Sequence, residues 1–167
     1  CLSKALTGGF LPMAITATTQ EIYDVFYSED IEKAFLHGHS YTANPLTCIA
    51  ALTSIELFEE NNVFEKVEKI TEIHKEEIIK LVRKYPFIEK PRVCGLIGAF
   101  DIKVEKSGYS SNIAKTLKEV FLKGGLIIRP LGNVFYLFPS YIITEEELKG
   151  VYIKIDKIIS NLKICDW

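Results

Sequence analysis

Three stretches of the chain gather side chains able to do chemistry. In LSKALTGG, Lys4 stands between a short apolar lead-in and the Gly8-Gly9 turn. A lysine amine can attack a carbonyl or carry a proton, although most lysines are solvated surface charges. The glycines do not form a phosphate loop of the G-x-x-x-x-G-K-[ST] kind, because Lys4 precedes them. In His37-Gly38-His39-Ser40-Tyr41, hydroxyls, imidazoles and backbone amides form a set able to bind an oxyanion. A metal would need ligands beyond the two histidines, and none is suitably spaced; a plain polar turn is the other reading. Arg129 ends LIIR just before Pro130. A guanidinium there can hold a carboxylate through two parallel hydrogen bonds, or simply be a surface arginine at a strand end. Tyr136, within VFYLF beyond the turn, either closes the same pocket or is packed as tyrosines commonly are.

Local patterns predict the elements that must position these residues. Residues 11–18 (LPMAITAT) are short, apolar and partly β-branched, as in a buried strand. Residues 20–27 read as a helix and 36–44, without periodicity, as a loop. Pro45 suits the first turn of the next helix, since the donor it lacks is unpaired there. That helix, 45–60, is apolar on most sides and predicted to be largely buried. Asn61-Asn62 should break it. A second helix, 63–84, repeats apolar residues at three- and four-residue steps and carries Lys and Glu on its other face. Beyond Tyr85-Pro86 the pattern reads strand 93–104, helix 112–123, strand 126–129, strand 134–138 and helix 145–162. Gly124-Gly125 stops one helix, and Thr144 with Glu147 forms a capping box for the last. The expected organisation is one domain portion over 1–62, a connecting helix over 63–91 and a small α/β domain over 92–167.

Composition excludes several classes. With 167 residues, 48% hydrophobic and 25% charged, the chain can bury a real core and is neither disordered nor fibrous. Twenty basic against twenty-two acidic residues, interspersed along the helices, give a net charge of -2 and no concentrated basic face for nucleic acid. Cys1, Cys48, Cys94 and Cys165 form no C-x-x-C pair, which fits reduced thiols. No apolar run approaches the roughly 20 residues that span a bilayer, and nothing resembles a signal peptide, so no membrane partner and a cytoplasmic location are expected. The chain starts at Cys1 and its only methionine is Met13, so it is expected to begin inside a domain.

LSKALTGGFLPMAIT resembles the segment around the Schiff-base lysine of class III aminotransferases, in the pyridoxal-phosphate (PLP) fold-type I superfamily. HGHSYTANPL resembles their cofactor-phosphate loop. IIRPLGNVFYLFPSYIIT is similar to the C-terminal segment that holds a substrate carboxylate in members acting on 8-amino-7-oxononanoate. The three matches lie in the family's order and span almost the whole chain. Two departures are mild: Ser40 stands where Thr is also common, and Ala43 replaces a frequent Gly.

The resemblance implies an α/β fold, comprising the end of the large PLP-binding domain and the small C-terminal domain. It implies that Lys4 carries pyridoxal 5'-phosphate, that His39 and Ser40 bind this cofactor, and that Gly38, Arg129 and Tyr136 contact substrate. Because the family's loop reaches the cofactor of the neighbouring subunit, it also implies a homodimer. The implied reaction passes an amino group from S-adenosylmethionine to 8-amino-7-oxononanoate, giving 7,8-diaminononanoate for biotin biosynthesis. The residues themselves do not choose between adenosylmethionine and lysine as donor. The family's aspartate for the pyridine nitrogen, its ring-stacking aromatic and its glycine-serine phosphate loop all precede the lysine. This chain alone is therefore expected to be inactive. Two alternatives stay open: a class III aminotransferase for an ω-amino acid or ornithine, and a non-catalytic α/β interaction domain in which Lys4 is an ordinary lysine.

Overall fold

A computed structural model of the chain describes residues 1–105, 107–108 and 111–162. They form two compact units, Cys1–Asn62 and Val63–Trp167.

The first unit begins with β1 (Leu2–Ser3), paired antiparallel with β2 (Ala14–Ile15) in the register Leu2 to Ile15 and Ser3 to Ala14. Between them lies a 3-10 turn, Lys4–Thr7, closed by Gly8 at φ 62° and Gly9 at φ 78°. Both glycines sit in the left-handed region, which side chains with a Cβ rarely adopt. Thr7 is buried, and its hydroxyl donates to the Leu11 carbonyl at 2.5 Å. Helix α1 (Gln20–Phe26) follows, then α2 (Pro45–Glu60). The N-terminus of α2 has Pro45 in its first turn and the Asn44 side chain accepting from the Leu46 N–H at 2.9 Å. Two expectations fail here. Of residues 11–18 only Ala14 and Ile15 form a strand, and they are exposed. Helix α2 is not buried: Ala51 is its one buried residue among those described, while Leu46 is 71% and Ile49 62% exposed. Apolar content records what an element is suited to bury, but burial also needs covering neighbours, and in this unit the Lys4–Thr7 turn is the main element described that packs against α2.

The second unit starts with α3 (Val63–Lys84), whose buried Ile70, Ile73, His74, Ile78 and Leu81 follow the apolar stripe. Its sheet is three-stranded and antiparallel, in the order β3 (Ile88–Cys94), β4 (Ile97–Ile102), β5 (Val134–Leu137). Helices α4 (Ile113–Lys123) and α5 (Glu145–Ser160) complete it, the latter opened by the predicted capping box. Phe100 on β4 stacks on Phe135 of β5 at 4.7 Å between ring centres, and Phe121 of α4 meets Phe135 at 4.9 Å. Gly98 lies against α3: a Cβ there would come within 2.6 Å of His74 Nδ1. His74 is fully buried, with Nε2 3.0 Å from the Leu96 carbonyl and Nδ1 2.6 Å from the Tyr152 hydroxyl. The carbonyl can only accept, so Nε2 carries the proton and Nδ1 accepts from tyrosine.

Two strand expectations need correction. The single strand predicted over 93–104 is the hairpin β3–β4, turned at Gly95 with φ 54°. Pro91 argues against a strand by pattern, yet β3 is an edge strand whose register slips between Glu89 and Arg92, and an edge tolerates a missing donor. Residues 126–129 form no strand, and Ile127 is 92% exposed. Only Leu131 bridges to Val134, so the run of β-branched residues has no partner backbone to pair with. The order is therefore strand, strand, helix, strand, helix.

Candidate functional site

In the first unit Lys4 is exposed at the head of the 3-10 turn. Its backbone has φ 54°, an uncommon conformation for a residue other than glycine. The turn is held by Gly8 N–H donating to Ala5 O at 3.0 Å and Gly9 N–H to Lys4 O at 3.2 Å. Helix α2 braces it, with Ser54 Oγ donating to the same Ala5 carbonyl at 3.4 Å. The Lys4 side chain makes no ion pair among the described residues. The result is an amine on a braced, locally strained turn.

The loop ahead of α2 is ordered by its own polar groups. His39 N–H donates to Thr42 Oγ1 at 3.1 Å, Tyr41 N–H to His39 Nδ1 at 3.1 Å, and Thr42 N–H to His39 O at 3.0 Å. The Gly38 N–H and the Ser40 N–H and hydroxyl make no hydrogen bond among the described residues, and both residues are exposed. With Nδ1 of His39 accepting, its Nε2 is left as a donor. Such a group of outward donors suits an oxyanion. Ala43, in the position where the resemblance expects glycine, has φ 56°, so its Cβ is carried in a conformation that favours glycine.

In the second unit Arg129 and Tyr136 line one cleft of about 390 Å³. Its walls are largely apolar, including Leu126, Leu137, Ile143 and Val151, and Arg129 is the one charged side chain among the described residues lining it. Arg129 is exposed and has no ion-pair partner among the described residues; Tyr136 is half-buried. An apolar wall with an unpaired guanidinium fits an aliphatic chain bearing a carboxylate. After Pro130 the chain reverses in a turn in which Leu131 and Val134 exchange both backbone hydrogen bonds at 3.0 Å, with Gly132 at φ 61°.

Pattern reading missed Asn133 in that turn, which is 2% exposed and whose amide bonds both to Ile102 O and to Gly108 N–H. Gly132-Asn133 signals a turn, but nothing local signals that the side chain is buried. Asn44, the cap of α2, was legible as an Asn before Pro and was likewise overlooked. Among the described residues no three His, Cys, Asp or Glu side chains come together as a metal site. Cys1, Cys48 and Cys94 are free, and Cys165 lies outside the described residues. No helix among the described residues is long and apolar enough to cross a membrane.

The chain is similar along most of its length to known proteins. Adenosylmethionine-8-amino-7-oxononanoate aminotransferase of Synechococcus elongatus is 41% identical over 162 residues, covering 97% of this chain and 38% of that protein. The chain thus spans well under half the length of the curated relatives it matches. Among solved structures, the aminotransferase of the same description from Methanocaldococcus jannaschii superposes with a TM-score of 0.81 and 34% identity, covering 95% of this chain and 37% of its own. Acetylornithine aminotransferase from Elizabethkingia anophelis gives 0.78 and 30%, covering 96% of this chain and 40% of its own. The fold is accordingly a portion of the PLP-dependent aminotransferase fold. Matched from residue 1 to residue 159 by the model of that family, the chain belongs to the class-III aminotransferases.

Proposed function

We propose that the protein transfers an amino group to 8-amino-7-oxononanoate, forming 7,8-diaminononanoate for biotin biosynthesis, with S-adenosylmethionine as donor and PLP as cofactor. The observation that carries this reading is the 41% identity to a relative of that description along 97% of the chain. The donor set fits the cofactor: an amine on a braced turn for its carbonyl, and the outward N–H and hydroxyl groups of the 38–40 loop for its phosphate.

PLP, when bound, supplies an electron sink and a carrier for the amino group. Lys4 would hold it covalently through Nζ, and once free its amine would move a proton at the substrate carbon that bears nitrogen. Ser40, with its own N–H, would grip the phosphate, and His39 would add a donor from Nε2. Gly38 leaves room for substrate, since even an added Cβ would meet only Thr42 Oγ1 at 3.8 Å. Arg129 would clamp the acceptor's carboxylate, setting how far a long flexible chain reaches, with Tyr136 on the same cleft wall. Residues 1–62 belong in this reading to the large domain, and 92–167 to the small one, joined through the helix over 63–91. The loop would serve the cofactor of a second subunit in a cytoplasmic homodimer, as a symmetric interface repeats the contact twice.

Borohydride reduction of the full-length protein incubated with PLP tests the site, and a donor panel with 8-amino-7-oxononanoate tests the reaction. A PLP adduct on the Lys4 peptide and diamine formed from adenosylmethionine are expected. No adduct would leave a binding domain. An adduct with turnover confined to ornithine-type substrates would move the protein to the class represented by the acetylornithine aminotransferase, which is 30% identical.

A further inference from the structure

We propose that Asn133 is a positioning residue that sets the direction of Arg129, and so the affinity for the carboxylate-bearing acceptor; this rests on the reading of Arg129 as the carboxylate clamp. Arg129 has no partner of its own among the described residues, so its direction comes from the backbone that carries it. Pro130 restricts that backbone at once, and the chain then turns through Leu131–Val134. A turn of this kind holds its own shape but does not fix its place on the molecule.

Asn133 supplies the fixing. Its Nδ2 donates to Ile102 O at 2.9 Å, its Oδ1 accepts from Gly108 N–H at 2.8 Å, and its backbone carbonyl accepts from Ile102 N–H at 2.9 Å. Three hydrogen bonds thus tie the turn to the last residue of β4 and to the segment beyond it. Ile102 is fully buried, so the anchor is rigid. The side chain must donate in one direction and accept in the other at a site only 2% exposed, which a carboxamide does and neither a carboxylate nor an alkyl group can. Losing it would free the turn to shift, and a clamp displaced by about an ångström loses the two parallel bonds that give a guanidinium its grip.

The test is a double-mutant cycle in the full-length enzyme loaded with PLP. Asn133→Ala should raise KM for 8-amino-7-oxononanoate roughly tenfold, with the donor half-reaction little changed. In an Arg129→Ala background the same substitution should add nothing to the acceptor KM, although any fall in melting temperature should persist. An equal further rise in that background, or equal damage to both half-reactions, would make Asn133 a purely structural residue and overturn the proposal. An Arg129→Ala enzyme with an unchanged acceptor KM would instead remove the clamp itself, and this proposal with it. Should Asn133→Ala not fold, Asn133→Ser repeats the cycle: its hydroxyl keeps a neutral polar group in the site but is too short to span both Ile102 O and Gly108 N–H.

Discussion

The two units of the chain treat their apolar residues in opposite ways. In the second, Phe100, Leu117, Phe121, Phe135, Leu148 and Ile155 are almost wholly buried in one continuous core. In the first, Ala51 is the one buried apolar residue described, and Phe10 is 85% exposed. Helix α2 is apolar on most sides while α3 confines its apolar residues to one stripe, so a single covering layer seals α3 whereas α2 needs cover on several sides. A self-sufficient core makes a platform on which Arg129 can be aimed. The first unit carries Lys4 and the 38–40 loop on elements whose apolar faces remain open.

Core truncation should separate the units most sharply. Phe100→Ala should cost about 3–5 kcal/mol in denaturant unfolding of this chain, since it removes a stacked ring from a closed core. Leu52→Ala on α2, 55% exposed, should cost less than about 1 kcal/mol in the same experiment. Equal costs would mean that α2 is covered after all, and the contrast would collapse.

Glycines offer a finer version. Gly98→Ala would drive a Cβ to 2.6 Å from His74 Nδ1 and 2.8 Å from its Cγ, so a loss of about 1–3 kcal/mol is expected. Gly38→Ala, with only an ordinary contact to Thr42, should leave unfolding unchanged. A Gly98→Ala chain as stable as the parent would show that α3 can yield, and that the second core is looser than its packing implies.

The smallest effect should be on pH dependence. Burial pushes His74 below the usual histidine value, and the hydrogen bond to the Leu96 carbonyl only partly opposes this. A lowered folded value means the unfolded chain takes up the proton first. The stability contributed is therefore complete above about pH 6.5 and declines as pH falls below it. Tyr152 is pushed up by burial, keeping its hydroxyl protonated to donate to the ring. Denaturant midpoints of the second unit at pH 7.5 and pH 5.5 should fall in that order, and His74→Gln should flatten the slope. A slope unchanged in His74→Gln would assign it to the carboxylates.

What could be read without coordinates was what depends on a few adjacent residues. Pro45 and the Asn61-Asn62 break delimit α2, and Thr144 with Glu147 starts α5, because caps and turns satisfy the backbone groups nearest to them. The segments around Lys4 and Arg129 were legible as a resemblance to a family, though not as geometry. Strand pairing was not legible in this way. Residues 126–129 look like a strand and form none, while 88–94 contain Pro91 and form one, because a strand exists only where a distant backbone offers its N–H and C=O groups. Burial was legible for α3, whose one-sided stripe meets a sheet and α5, but not for α2, the more apolar helix, which stays largely exposed because apolar residues alone do not supply a covering neighbour. The sequence already offered Tyr136 beside Arg129, and both line one cleft; tertiary structure alone sealed the Asn133 amide between β4 and the turn, since that depends on contacts across the chain that no local spacing encodes.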